Sequence, residues 1–310
     1  MNSSQKSWIW FIAILSLIAG TAIYLTRSRP ADPGRSLAYS IEEYRKVDPA
    51  LIRYTEVAPI IPAIGQLSAM AIAPDGKIYV GGQNAIEIFP GKTTHQFDSS
   101  PRCIAVDDNG TLFAGIQDHV EVFSKDWKKT VWPSPGEKAY LTSIAVDDRY
   151  VYVADAGSRC VWRYPKTGGE PLKIEGERKF YIPSPFFDLD IGTDGSLWVV
   201  NPGYHVLENY SPDGRLISSW GEGSFRIEGF IGCCNPANFT LMPDGSFATA
   251  EKGIPRVKIY NLDGSLRCVV AAPDQFDEGT TGLDIAADRQ GRVYVLDPVR
   301  GKVRIFEVKP

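Results

Sequence analysis

Histidine is almost missing from this chain, with three in 310 residues. A histidine-built metal centre would have to gather nearly all of them. Basic runs are missing too: no stretch of Lys and Arg exceeds two adjacent residues, and the net charge is −4. The chain therefore lacks the positive footprint that phosphate backbones demand, which argues against nucleic acid as a partner. No P-loop, G-x-S-x-G, H-E-x-x-H or C-x-x-C string occurs, so the common motif-borne chemistries are absent. Low-complexity sequence is absent as well. The 22 prolines and 29 glycines fall at regular intervals between apolar runs, as turn punctuation does.

Long uncharged runs are also scarce, and the one at the N-terminus stands apart. Residues 8–25, WIWFIAILSLIAGTAIYL, carry no charge, and a spanning helix needs roughly 17–25 residues. Trp8, Trp10 and Tyr24 stand where interfacial anchors belong. Lys6 precedes the run and Arg27 and Arg29 follow it, too small a difference to fix orientation. Gly20-Thr21-Ala22 would also serve as a signal-peptide cleavage site. The sequence thus predicts a single-pass membrane anchor or signal-like segment over residues 1–26, with the remainder outside the cytoplasm, periplasmic or extracellular. A stalk follows over residues 27–50. Within it Ser40-Ile41-Glu42-Glu43 fits a capping box, predicting a short helix that Asp48-Pro49 stops.

What is abundant is repetition. Six copies of one pattern occupy residues 70–89, 104–123, 144–164, 189–210, 239–260 and 283–306. Each runs apolar strand, acidic turn, a β-branched or aromatic strand, a polar turn, then a strand ending in Phe or Tyr. The first strand carries a small or short polar residue between two large apolar ones. Ala71, Ala105, Ala145, Asp190, Thr240 and Asp284 occupy this slot, as crowding near a shared axis would require. Turns such as Asp108-Asn109-Gly110 and Asp244-Gly245 are hairpin chemistry. The third copy lacks the glycine (Asp148-Arg149-Tyr150), so its turn must differ. Fourth, outer strands fit at 93–97, 127–132, 171–174, 215–220 and 266–270. The sixth is missing because the chain stops, and residues 51–57 can supply it. Residues 51–310 therefore predict an all-β, six-bladed β-propeller with four-stranded antiparallel blades, its last blade closed by an N-terminal strand.

These strings resemble NHL repeats. Ile144-Ala145-Val146-Asp147 with Val151-Tyr152-Val153-Ala154-Asp155 matches the family pattern, as does Gly291-Arg292-Val293-Tyr294-Val295-Leu296-Asp297 with Val303-Arg304-Ile305-Phe306. The resemblance covers about residues 51–310, and the stretch around Gly232-Cys233-Cys234-Asn235-Pro236 is similar to membrane-anchored bacterial proteins of the NHL type. It implies the fold but no single activity, because NHL-type propellers include binding scaffolds, RNA readers, surface proteins and metal-dependent lyases and hydrolases.

Repeat register removes several candidates. His119 and His205 fall in the slot that holds Arg159, Arg256 and Lys302 elsewhere, and His95 falls in an outer strand. Asp155, Asn201, Glu251 and Asp297 end the second strands and should brace loops. Three departures remain. The first is a polar set at the starts of the inner strands. Ahead of the large apolar residue stand Ala69, Cys103 and Ser143, then Asp188, Asn238 and Gly282, with Asp190 and Asp284 one position on. These carboxylates and amide would either hold Ca2+ or another divalent cation on the axis or bond the backbone of the next blade. A cation held there would resemble the gluconolactonase-like and paraoxonase-like propellers, and would imply a hydrolase or lyase with Asp188, Asn238 and Asp284 as metal ligands. The second is the adjacent pair Cys233-Cys234, either structural, as small buried residues or with one of them in a disulfide with Cys160, Cys268 or Cys103, or a thiol or soft-metal site. The third is two long insertions rich in aromatics, 176–187 with Tyr181, Phe186 and Phe187, and 220–230 with Phe225 and Phe230. No departure completes a catalytic motif. The sequence reads first as a membrane-tethered module binding a protein or small-molecule ligand at the channel mouth.

Overall fold

The computed structural model describes residues 41–310. The predicted anchor at 1–26 and the stalk through Ser40 lie outside the described residues. No described helix is long and apolar enough to cross a membrane. The chain divides into Met1–Glu43 and Tyr44–Pro310. Of the predicted stalk helix one turn, Ile41–Tyr44, is described, without its capping serine. Asp48 then accepts the Ala50 amide at 2.9 Å and starts a 3-10 turn over Pro49–Leu51. That turn moves the first strand to Tyr54–Ile60, three residues later than expected.

Residues 54–310 form six four-stranded antiparallel sheets. The inner strands, in blade order, are Ala69–Ile72, Cys103–Val106, Leu141–Val146, Leu189–Ile191, Asn238–Leu241 and Asp284–Ala287. Each touches the next, and the sixth touches the first, so the ring is closed. Strand Tyr54–Ile60 pairs with Lys302–Val308 and completes blade six, as the count of outer strands predicts. Glu56 fastens this clasp by accepting from Arg304 Nε at 2.9 Å and Nη2 at 2.6 Å.

The core follows from the repeat. Second strands such as Ile78–Gly82 and Phe247–Glu251 are buried along their whole length, because both faces meet a neighbouring sheet. Apolar side chains collect into six clusters, one at each blade-to-blade interface. Each buried Leu, Val or Phe contributes roughly 1.5–3 kcal/mol relative to exposure. Blade three solves its glycine-free turn with Asp147, whose Oδ1 accepts the amides of Arg149 and Tyr150 at 2.7 and 2.6 Å.

Register brings one correction. Asp284 pairs with Leu296, as Asn238 pairs with Ala250 and Cys103 with Gly115. It therefore belongs to the ring of Ala69, Cys103, Ser143, Asp188 and Asn238, where Gly282 was expected. The small slot of blade six holds Ala286, opposite Tyr294, as Ala105 lies opposite Phe113. The recurring string Leu-Asp-Ile at 189–191 and 283–285 misleads because its two copies are out of phase with the ladder.

Candidate functional site

The inner strands enclose an axial cavity of about 500 Å3. Its wall includes the small slots and the polar residues Ser143, Asp188, Asp190, Asn238 and Asp284. Each polar ring side chain reaches into the next blade. Ser143 Oγ lies 3.3 Å from the Leu189 amide. Asp188 accepts the Phe239 amide at 2.7 Å, and Asp190 accepts the Leu241 amide at 2.8 Å. Asn238 donates to the Leu283 carbonyl at 2.6 Å, and Asp284 accepts the Met70 amide at 2.7 Å. The second oxygens of Asp188 and Asp190 accept their own neighbours' amides, from Leu189 and Ile191.

Burial, with the charge of Asp284 beside it, pushes Asp188 up to about 8. Burial pushes Asp284 up to about 7 and raises Asp190. Carboxyl oxygens already engaged by backbone amides leave few free donors for a hard cation such as Ca2+, which takes six to eight oxygen ligands. Among the described residues no three His, Cys, Asp or Glu side chains gather as a metal group. The set fits a girdle that locks blade to blade better than it fits a cation.

The second site is the rim, on the face where inner strands begin. The loop 230–237 crosses it with a positive φ at Gly232 and a cis peptide at Asn235–Pro236. Asn235 pins the loop: its Nδ2 donates to the carbonyls of Ile231 and Lys252, and its Oδ1 accepts the Lys252 amide. All five cysteines are free thiols; Cys103, Cys160, Cys234 and Cys268 are buried and Cys233 is exposed. Cys234 Sγ receives the Lys252 ammonium at 2.7 Å and the Ser184 hydroxyl at 3.1 Å. Cys233 Sγ stands 3.2 Å from it. Burial opposes the Cys234 thiolate, but the Lys252, Ser184 and Cys233 hydrogen bonds outweigh it and lower the pKa. Cys233 is shifted the other way by the neighbouring sulfur. Burial, with the Asp155 charge nearby, drives Cys160 up to about 12, burial drives Cys268 up to about 11, and both are left inert.

Three loops meet here. Tyr181 packs against Tyr204 at 5.9 Å, and Gly203 lies so close to Tyr181 that any Cβ would collide with its ring. His205 Nδ1 lies 3.0 Å from the Asn235 carbonyl, and Lys252 Nζ sits 5.1 Å over the Phe186 ring. Phe186 also lines the cavity, joining rim to channel. The polar residues that end the second strands brace these loops as expected: Asn201 accepts the Tyr181 amide and Glu251 the Ile231 amide.

The aromatic insertions divide. Tyr181 is 49% exposed and Phe225 is 49% exposed, the latter packed on Tyr44. Phe187 and Phe230 are only 1% exposed. They fill the seams between blades three and four and between four and five, so neither is available as a contact. The 220–230 insertion is held from beneath. Arg256 and Lys258 donate to the Gly229 carbonyl, Lys258 to that of Ile227, and Tyr260 to that of Glu228. Buried Glu251 balances both cations, at 2.7 and 2.8 Å. Burial opposes its charge, but Lys258 and Arg256 hold its pKa below the usual range.

Sequence reasoning missed Lys252, Ser184 and Tyr204. For two of these, register held a signal. Lys252 follows Glu251 where Ala156, Pro202 and Pro298 follow the equivalent residues, and Tyr204 stands where blade three has Ser158.

No family model and no curated protein matches the chain. Solved structures do. A streptogramin B lyase superposes with a TM-score of 0.61 at 13% identity, over 84% of this chain and 100% of its own. Virginiamycin B lyase from Staphylococcus aureus gives 0.61 at 11%, covering 83% and 99%. A protein of unknown function from Bacteroides thetaiotaomicron VPI-5482 gives 0.61 at 16%, covering 83% and 72%. At these identities the likeness is one of fold, a six-bladed propeller, and it leaves the NHL resemblance resting on the repeat strings alone.

Proposed function

We propose that the protein is a binding or assembly module, tethered to a membrane by its first 26 residues, that recognises a protein or small ligand on the rim of blades four and five. One observation carries this reading. Loops from two blades are tied by side-chain bonds into a single surface that presents Tyr181 and Tyr204, and Phe186 of the same loop as Tyr181 lines the axial cavity. Aromatic residues on a rigid frame supply contact area at small entropic cost. The rival reading, a cation-dependent lyase or hydrolase, gains no support from the axial carboxylates, whose oxygens serve the blade-to-blade girdle. The solved lyases share the fold only.

A photo-crosslinking amino acid placed at Tyr204 in the full chain, in its native membrane, tests the rim. Discrete adducts are expected there and none at Leu262, which is exposed on an opposite-face turn. Equal labelling at both positions, or none at Tyr204, would sink the reading.

A further inference from the structure

We propose that Cys233 and Cys234 form a two-sulfur site for a soft, thiophilic monovalent cation of the Cu(I) class. The sulfurs already converge, 3.2 Å apart. One faces solvent and one faces the interior, so an ion can reach the pair from outside and finish half-enclosed. The loop does not have to fold around the ion, because Asn235 ties it at Ile231 and Lys252. With the backbone pinned, only side-chain rotation is needed to complete the site.

The donor set selects the class of ion. Both donors are thiols, no carboxylate or imidazole completes a group of three among the described residues, and hard cations prefer oxygen. Structural zinc takes four ligands. Sulfur-only, low-coordinate sites suit soft ions such as Cu(I). Binding displaces the thiol protons of Cys233 and Cys234 to solvent and gives a bis-thiolate complex with one net negative charge. Lys252 Nζ, 2.7 Å from Cys234 Sγ, offsets that charge inside the fold. Metal–sulfur bonds of about 2.3 Å at a wide angle need the sulfurs farther apart than they stand, and exposed Cys233 is the side chain placed to swing outward.

A disulfide role fits less well. Adjacent α-carbons are ~3.8 Å apart across a trans peptide, whereas disulfides span about 4.4–6.8 Å. Exchange also needs the activated sulfur to be the accessible one. Here Lys252 and Ser184 serve the buried one.

The site stands independently of the rim-partner reading, since it needs only the two sulfurs and Lys252. The reduced full chain in detergent, without oxygen, is titrated with Cu(I) against the chelator bathocuproine disulfonate. It should withdraw a single equivalent, and C233S and C234S should each weaken retention by about tenfold or more, as loss of metal-site groups does. Undiminished retention in the C233S/C234S double variant, or none in the parent chain, overturns the proposal. Should those variants misfold, the parent chain still decides: one equivalent of Cu(I) should shield Cys233 from iodoacetamide, and unchanged labelling overturns the site.

Discussion

Two polar clusters lie within one propeller, one along the axis and one on the rim, and they behave in opposite ways. On the axis, Asp188, Asp190, Asn238 and Asp284 each bond the backbone of the following blade. Their polarity closes a ring. On the rim, Lys252 and Ser184 donate to Cys234 and favour its thiolate, and its exposed neighbour Cys233 is left facing solvent. Concentration of carboxylates at a channel is thus a weaker pointer to chemistry than a single polar atom held in an activated state beside an accessible one.

The largest break in this contrast should come from beneath the rim. Glu251→Ala leaves Arg256 and Lys258 buried without their counter-charge, and removing one partner of such a set costs about 3–5 kcal/mol. Urea unfolding should show it, with the 220–230 insertion released to protease first. Phe230→Ala should cost a similar amount, about 3–5 kcal/mol, through the cavity it opens. On the axis, Asp188→Ala strands the Phe239 amide, an expected loss of about 1–3 kcal/mol in the same measurement.

A smaller effect separates the clusters by pH. Asp188 and Asp284 hold folded-state pKa values of about 8 and about 7, above an ordinary carboxyl near 4. The folded chain therefore binds more protons than the unfolded one between these limits. Their contribution is fully present below pH ~4 and is lost as pH rises through 7 to 8. Thermal unfolding of the parent chain should show a decline over that window that is reduced in D188N/D284N. An unchanged slope would mean that the girdle is not protonated. The smallest effect is expected at Tyr181→Ser, within about 0.5 kcal/mol, where stability should hold while crosslinking from Tyr204 falls.

The fold was legible because its signals are local. Alternation and acidic turns lie within a blade's own sequence, counting outer strands exposed the missing sixth, and Glu56 and Arg304 seal the predicted clasp. The register of Asp284 was harder, since a recurrent tripeptide outweighed the position of Gly291, which marks the turn. The rim was least legible. Ser184 and Lys252 reach Cys234 from 50 and 18 residues away, and no spacing rule links them. Nor does sequence separate Phe186 from Phe187: one lines the cavity, and the other fills a seam.

The clasp in blade six also has a consequence in time. Tyr54 pairs with Val308, so the first strand of the propeller must wait for a partner made after the other five blades. Until then the strand Tyr54–Ile60 lacks its sheet and presents unpaired edges to any other extended chain. The interval between making the first strand and making its partner is the period of greatest exposure to mispairing. Slowing synthesis between the two strands should lengthen it.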